Sequence, residues 1–427
     1  MSLTHKLSSC YHGAGVADSK GLAAEAPAGW TEEQSRREAS GQGDMQFGTY
    51  SIVDSTLREG EQFESARFST ADKVEIARAL AIFGIEYIEL TSPVASPRSR
   101  ADCALIAGLG LPCKVVAHIR CHAEDARAAV DTGVAGISMV IGVSPILRRA
   151  SHLLGVGEIA SRARLIAEAI RKRAPAVELR FSTEDAFRCP PDELLAIFRE
   201  LRSCGLFDRL GVADTTGRAM PMQVFETVRT VVEETGMPVE FHGHNDIGCA
   251  VANACMALAA GATHVNTTVL GIGERNGITA LEGLVAALYA RDEAGTRRKY
   301  DLARLPALSD LVARKVGVEV PFNHCVVGRT AFTHKAGIHT KAVLKDPHSY
   351  EALDPADFGR ERTLLLSHLL VGRNAIGARA RALGLDLAPG ELRRVTDRVK
   401  ALADDQKLGA DDVDRILMAA AEQRKRA

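Results

Sequence analysis

Residues 50–91, YSIVDSTLREGEQFESARFSTADKVEIARALAIFGIEYIELT, hold one complete strand–helix–strand unit. The runs Tyr50–Thr56 and Ile85–Thr91 are apolar and β-type. Between them Ser69 and Asp72 have the spacing of a capping box, Val74, Ala77, Leu80 and Ala81 share one helical face, and Gly84 supplies a stop. Two strands joined through a helix lie parallel, because the crossover returns the chain to the same end of the sheet.

The unit repeats. Further β-type runs occupy Lys114–Arg120, Gly136–Val143, Val177–Glu184, Arg209–Thr215, Val239–Asp246 and His264–Leu270, eight in all. Each precedes a segment able to form a helix. Ile159, Ala163, Ile166 and Ile170 make a stripe ending near Pro175, and Pro190–Pro191 precede Leu194, Leu195, Phe198 and Leu201. Eight repeats in a span of about 250 residues suit a closed barrel. The expected fold is therefore α/β, a (β/α)8 TIM barrel over residues 47–300. An open doubly wound sheet is the alternative, but it has no reason to stop at eight units.

Outside the barrel the composition changes. Residues 1–46 are rich in Gly, Ala, Ser and charge without a hydrophobic period, and read as a disordered tail. The acids Asp18, Glu25, Glu32, Glu33, Glu38 and Asp44 argue against a targeting peptide there. Residues 301–427 show helical patches near 302–315, 361–383, 390–405 and 411–424, with Pro321–Asp346 as a loop-rich linker. They read as a mostly helical lid and dimerisation region.

With 53 basic and 54 acidic residues the net charge is −1, which gives no support to a nucleic-acid or membrane-surface role. No run approaches the ~20 apolar residues of a membrane span. The nine cysteines are odd in number and form no C-x-x-C pair, so a reducing, cytoplasmic setting is expected.

Chemistry in a TIM barrel collects at the carboxyl ends of strands. The seventh run reads VEFHGHND, and His242 and His244, two apart, point to one side of an extended strand. An isolated H-x-H reads more readily as a pair of hydrogen-bonded core histidines; its place at a strand end, before Asn245 and Asp246, reverses this in favour of metal ligands. Asp54, Arg58, Glu59, Glu61 and Gln62 crowd the first loop, where a carboxylate would complete a two-histidine, one-carboxylate set or simply form a solvated turn. Arg180, Ser182 and Glu184 share parity on the fifth run, and an Arg fork suits a carboxylate. His118 and Arg120, Glu89 and Thr91, and Asp214 with Thr215 add charge from three more strands, through ion pairing or an anion-accepting pocket. LGIGERNGIT after the last run offers backbone N–H groups to a phosphate, or is a plain connecting loop. THKAGIHTKA gathers His334, Lys335, His339 and Lys341 as a lid bearing a base, or a surface loop.

Together DSTLREGEQF, YIELTSPVAS, HIRCH, LRFSTEDAFR, GVADTTG, FHGHNDIGCAVANA, LGIGERNG and HKAGIHTKA resemble the homocitrate synthases, in order from about residue 50 to 375. These belong to a metal-dependent TIM-barrel group that also holds isopropylmalate and citramalate synthases and hydroxymethylglutaryl-CoA lyase. The resemblance implies an acyltransferase that condenses acetyl-CoA with 2-oxoglutarate, as a homodimer, for lysine biosynthesis or nitrogenase cofactor supply. It implies a divalent metal (Mg, Mn, Zn or Co) on Glu59, His242 and His244. Arg58, Gln62, His118, Arg180, Ser182 and Thr215 would bind substrate. His339 would be the base, with Glu184 beside it and Tyr350 reaching in from a partner subunit.

Two departures bear on this. GERNGI places Ile278 where isopropylmalate synthases resemble GERAGN, which favours the narrower family. Ser138 stands where lysine-regulated members carry an acid, while Glu240, another position linked to lysine, is kept; this puts feedback by lysine in doubt. The rival readings are a synthase for another 2-oxo acid and a non-catalytic CoA- or metal-binding regulator.

Overall fold

The computed structural model describes residues 47–426, so the expected disordered tail 1–46 lies outside the described residues. All eight expected strands form: β1 Ser51–Asp54, β2 Tyr87–Leu90, β3 Lys114–Arg120, β4 Gly136–Gly142, β5 Glu178–Glu184, β6 Arg209–Asp214, β7 Val239–Gly243 and β8 His264–Thr267. They close in sequence order into one parallel barrel, with β8 pairing back onto β1. The helices after them are α1 Thr70–Phe83, α2 Pro97–Ala107, α3 Ala123–Asp131, α4 Val156–Arg173, α5 Pro191–Cys204, α6 Pro221–Thr235, α7 Ala250–Ala259 and α8 Leu281–Arg291.

Three strands, β1, β7 and β8, stop two or three residues short of the runs expected from sequence, each at its carboxyl end. There the backbone leaves the ladder for local turns. The Thr56 N–H donates to the Asp54 carboxylate at 3.0 Å, the Asn245 N–H donates to the Gly277 carbonyl, and Leu270 takes φ 61°. The helix signals act as their spacing predicts. Ser69 and Asp72 cap each other's backbone at the start of α1, and Gly84 ends it at φ 110°. A Cβ at Gly84 would lie 2.7 Å from the Lys299 carbonyl, so only glycine fits this close approach. The α4 stripe Ile159, Ala163, Ile166 and Ile170 is buried.

The apolar core lies between the strands and their helices, with Ile52, Ile88, Phe181, Phe198 and Phe241 fully buried. Beyond α9 Glu293–Lys299 it continues through Tyr300 and Leu302 into α10 Leu305–Val316 and the segment to Phe358. A second cluster joins Val371, Ile376, Val395, Val399, Val413 and Leu417 across α12 Arg373–Ala382, α13 Pro389–Asp405 and α14 Ala410–Arg426. The linker Pro321–Asp346 contains more structure than its sequence suggested: β9 Thr333–His334 pairs in parallel with β10 Thr363–Leu364, and α11 spans Gly337–Val343. Seven residues opening on glycine are too few to display an amphipathic stripe. Helix α12 starts only at Arg373, because Thr363 and Leu364 are taken up by the small ladder.

Inside the barrel the usual apolar layers give way to charge. Arg58, Glu89, Arg180, Glu240, Arg209, Glu178 and Lys114 form an alternating string, with successive contacts of 2.8, 3.4, 3.0, 2.8, 2.6 and 2.7 Å. It runs from the first loop at the mouth to the starts of β3, β5 and β6 at the base. Gly211 on β6 makes room for it, since a Cβ there would lie 2.8 Å from Arg180 Nε.

Asp54 ends β1 fully buried, accepting from the Thr56 N–H at 3.0 Å and the Thr267 hydroxyl at 3.2 Å. Burial, which outweighs those hydrogen bonds, pushes its carboxyl up to about 7. The folded chain thus keeps a proton that the unfolded chain releases near 3.8. Stability must fall as pH rises between those values, and the loss persists above them. An Asn would accept from Thr56 and donate to Thr267 without titrating. We therefore expect Asp54→Asn to gain in melting temperature relative to the parent from pH 5 to pH 8; calorimetry showing a pH-independent difference would contradict this.

Candidate metal centre and substrate-binding mouth

Strand β7 carries Glu240 and His242 on its inward side, His244 follows directly after its last residue, and all three are buried. The two imidazoles lie with ring centroids 5.1 Å apart, at 70°. Glu59 comes to them from the first loop, 2% exposed. One donor atom from each of Glu59, His242 and His244 lies within 4.8 Å of the others.

Glu59 is held from three sides. Arg58 Nη1 donates to it at 2.5 Å, and the Glu274 N–H donates at 3.0 Å. The Gln62 amide, with its nitrogen turned toward Glu59, donates to both oxygens at 3.2 Å. The glycine-rich loop after β8 therefore does offer a backbone N–H to an anion, but the anion is this carboxylate. Gly273 lies against it, and a Cβ there would come within 3.0 Å of the Glu59 side chain. The loop is braced from behind by buried Glu282, which accepts from the Leu270 N–H at 3.0 Å and Ser309 Oγ at 2.5 Å.

The residues fit a divalent cation. His242 Nδ1 and His244 Nδ1 are buried and have no hydrogen-bond partner, a costly state for two neighbouring ring nitrogens unless something binds nearby. Burial, reinforced by Arg58, holds the pKa of His242 well below its ordinary value, and burial lowers that of His244 despite the pull of Glu59. Both rings are thus neutral at neutral pH, the form that ligates metal.

Beside this cluster lies the cationic part of the mouth. Glu89 accepts from Arg58 Nε at 2.8 Å and Ser55 Oγ at 2.8 Å, with His118 Nδ1 and Arg180 Nη1 each at 3.4 Å. Burial would raise its pKa, but Arg58, His118 and Arg180 outweigh this and hold it well below the carboxylate range. Arg180 also donates to Ser138 Oγ at 3.2 Å and Ser182 Oγ at 3.0 Å, as the shared parity of β5 anticipates. Glu184 is half-buried at the end of the same strand, and its charge acts on Arg58. Thr215 Oγ1 accepts from the Asp185 N–H at 2.8 Å, while Arg275 ties its carbonyl to Asp246.

Three sequence expectations resolve differently. Arg120 does not share the interior face with His118; its side chain is 74% exposed and forks onto Asp125 of α3. His334 of β9 pairs with Glu351 at 2.7 Å instead of presenting a free ring. His339, on α11, and Tyr350 are exposed and pair with each other, ring centroids 4.2 Å apart at 32°. Among the described residues no hydrogen bond or ion pair joins either one to the barrel mouth.

A closed (β/α)8 barrel with a buried cluster of two histidines and a carboxylate at its carboxyl end defines a metal-dependent barrel enzyme. Residues 49–312 match the HMGL-like family, which is divalent-metal dependent, and residues 326–407 match the homocitrate synthase post-HMGL domain-like family. The mitochondrial homocitrate synthase of Penicillium rubens is 49% identical over 370 residues, 87% of this chain and 77% of that one. The cytosolic isozyme of Saccharomyces cerevisiae is 48% identical over 368 residues, covering 86% of this chain and 85% of the yeast one. The hydroxymethylglutaryl-CoA lyase of Pseudomonas aeruginosa shares the fold, with a TM-score of 0.57 at 20% identity over 71% of this chain and 99% of its own. The chain belongs to the homocitrate synthases, condensing acyltransferases within the HMGL-like family. Its relatives include cytosolic and mitochondrial forms, and none of the described helices is long and apolar enough to cross a membrane.

Proposed function

We propose that this chain condenses acetyl-CoA with 2-oxoglutarate to give homocitrate and CoA, using Glu59, His242 and His244 to hold the metal. The observation that carries the reading is the buried cluster of two imidazoles and a carboxylate directly beside two guanidiniums, Arg58 and Arg180. A bound divalent cation supplies Lewis acidity at the 2-oxo group. Two imidazoles favour Mn, Zn or Co over Mg.

Arg58, His118, Arg180 and Thr215 hold the two carboxylates of the 2-oxo acid, with Gln62 and Ser182 lining the site. The donors gathered here, Arg58, His118 and Arg180, suit a second carboxylate better than a branched, uncharged side chain, which favours a dicarboxylate. His339, helped by Glu184, removes a proton from the acetyl methyl group; the carbanion attacks the ketone carbon, and water then cleaves the thioester to release CoA. His339 and Tyr350 pair with each other and, among the described residues, neither bonds to its own mouth, which supports their acting on a second copy in a homodimer. The exposed apolar residues Ile338, Leu344, Leu369 and Leu370 around them support such a contact. Free thiols at Cys103, Cys121 and Cys189 support a reducing, cytoplasmic setting.

The test is CoA release from acetyl-CoA with 2-oxoglutarate, 2-oxoisovalerate and pyruvate in parallel. Turnover is expected with 2-oxoglutarate, with kcat/KM at least about 10²-fold above the others, since a site built for a charged group rejects analogues lacking it. Preference for either monocarboxylate would overturn the assignment, and tight Mn binding without any CoA release would favour a regulator.

A further inference from the structure

Glu61 belongs to the charged first loop, yet the reaction outlined above gives it no part. It does not face the barrel axis. Its Oε1 meets Lys73 Nζ of α1 at 2.7 Å, and its Oε2 accepts from Thr91 Oγ1 at the end of β2. Lys73 is buried, and its ammonium also meets Asp102 of α2 at 3.0 Å. Asp102 in turn accepts from Thr70 Oγ1 at 2.6 Å. Thr91 grips the loop a second time, its N–H and hydroxyl both reaching the Leu57 carbonyl, at 3.2 and 3.3 Å.

Glu59, two residues earlier, sits in helical backbone geometry at φ −65° and ψ −40°. Its neighbours close short turns, Gly60 N–H to Ser55 carbonyl at 3.1 Å and Gln62 N–H to Glu59 carbonyl at 3.0 Å. The orientation of the Glu59 carboxylate is therefore set by a loop whose far side is fastened at Glu61, with one oxygen tied to a helix and the other to a strand end.

We infer that Glu61, clamped between Lys73 and Thr91, is a positioning residue that aims Glu59 at the metal. This rests on the metal reading given above. Pairing with the buried Lys73 at one end of the loop fixes the carboxylate at the other, so affinity for the cation depends on groups that never touch it. Groups behind a ligand commonly carry 10- to 100-fold in metal affinity.

The experiment is Mn2+ binding to metal-free full-length protein, followed by the free-ion EPR signal, with melting temperature recorded alongside. Glu61→Gln and Lys73→Met are each expected to raise the Mn2+ Kd about 10-fold, Thr91→Val about two- to threefold. The Glu61→Gln/Lys73→Met double variant is expected to be no weaker than the worse single, since both act through one link. A Kd within twofold of the parent in Glu61→Gln, whatever its melting temperature, overturns the inference; Glu61→Gln alone decides if Lys73→Met does not fold. His242→Ala separates the two readings. If His242→Ala leaves Mn2+ binding unchanged, the metal site itself is wrong; if it abolishes binding while Glu61→Gln does not weaken it, only the positioning role falls.

Discussion

Replacing His242 or Glu59 with alanine is expected to reduce turnover at least about 10³-fold, because a Lewis-acidic cation contributes several kcal/mol and each 1.36 kcal/mol is tenfold. The loss should appear in metal affinity as well, since among the described residues the cluster gathers three donors within 4.8 Å of one another and each variant removes one. Neither substitution should unfold the chain. Removing the His242 ring takes away a buried nitrogen without a partner, and removing Glu59 frees Arg58, which keeps its 2.8 Å contact with Glu89. Turnover and Mn2+ Kd measured on the same preparations distinguish the cases. Kinetics equal to the parent in either variant would mean that the cation, if any, sits elsewhere.

The barrel and this cluster were readable in the sequence for the same reason. Strand periodicity is local, so eight runs could be counted, and the parity of His242 with His244 placed both rings on one face. The approach of Glu59 could be expected only because both the first loop and the end of β7 must lie at the barrel's carboxyl rim. What stayed hidden is pairing across the axis. The bond from Arg180 to Glu89 joins residues 91 apart, and no spacing announces it. Glu240 did carry a signal, since it has the parity of His242 and His244, whereas Gly211 looked like any strand glycine until Arg180 was found lying over it. Arg120 misled because parity ignores the strand's last step, where a long side chain turns outward to Asp125. The helix bearing His339 is too short for its period to be seen, and the pairing of His339 with Tyr350 depends on the chain folding back over eleven residues.

Arg180→Met should be the most damaging single change inside the barrel. The guanidinium is 3% exposed and stands between two fully buried carboxylates, Glu89 at 3.4 Å and Glu240 at 3.0 Å. Deleting one partner of a buried ion pair costs about 3–5 kcal/mol, because the remaining charge keeps its desolvation penalty without its compensation. Glu89 would still have Arg58 and His118, but Glu240 would be left with Arg209 alone. Glu240→Gln alone should cost less, as the amide retains an acceptor for either arginine. The decisive measurement is the double variant, Arg180→Met with Glu240→Gln, in urea unfolding. Removing the orphaned acid should recover about 1–3 kcal/mol, so the double falls short of the sum of the singles. The sign with pH follows from Glu89, whose ionised form is favoured by folding. Its contribution is present above the unfolded value of 4.5 and is lost as pH falls below it, so the gap between Arg180→Met and the parent should narrow in acid. Strict additivity, or a gap that widens on acidification, would show that the interior charges are independent and that the mouth is not held by the string beneath it.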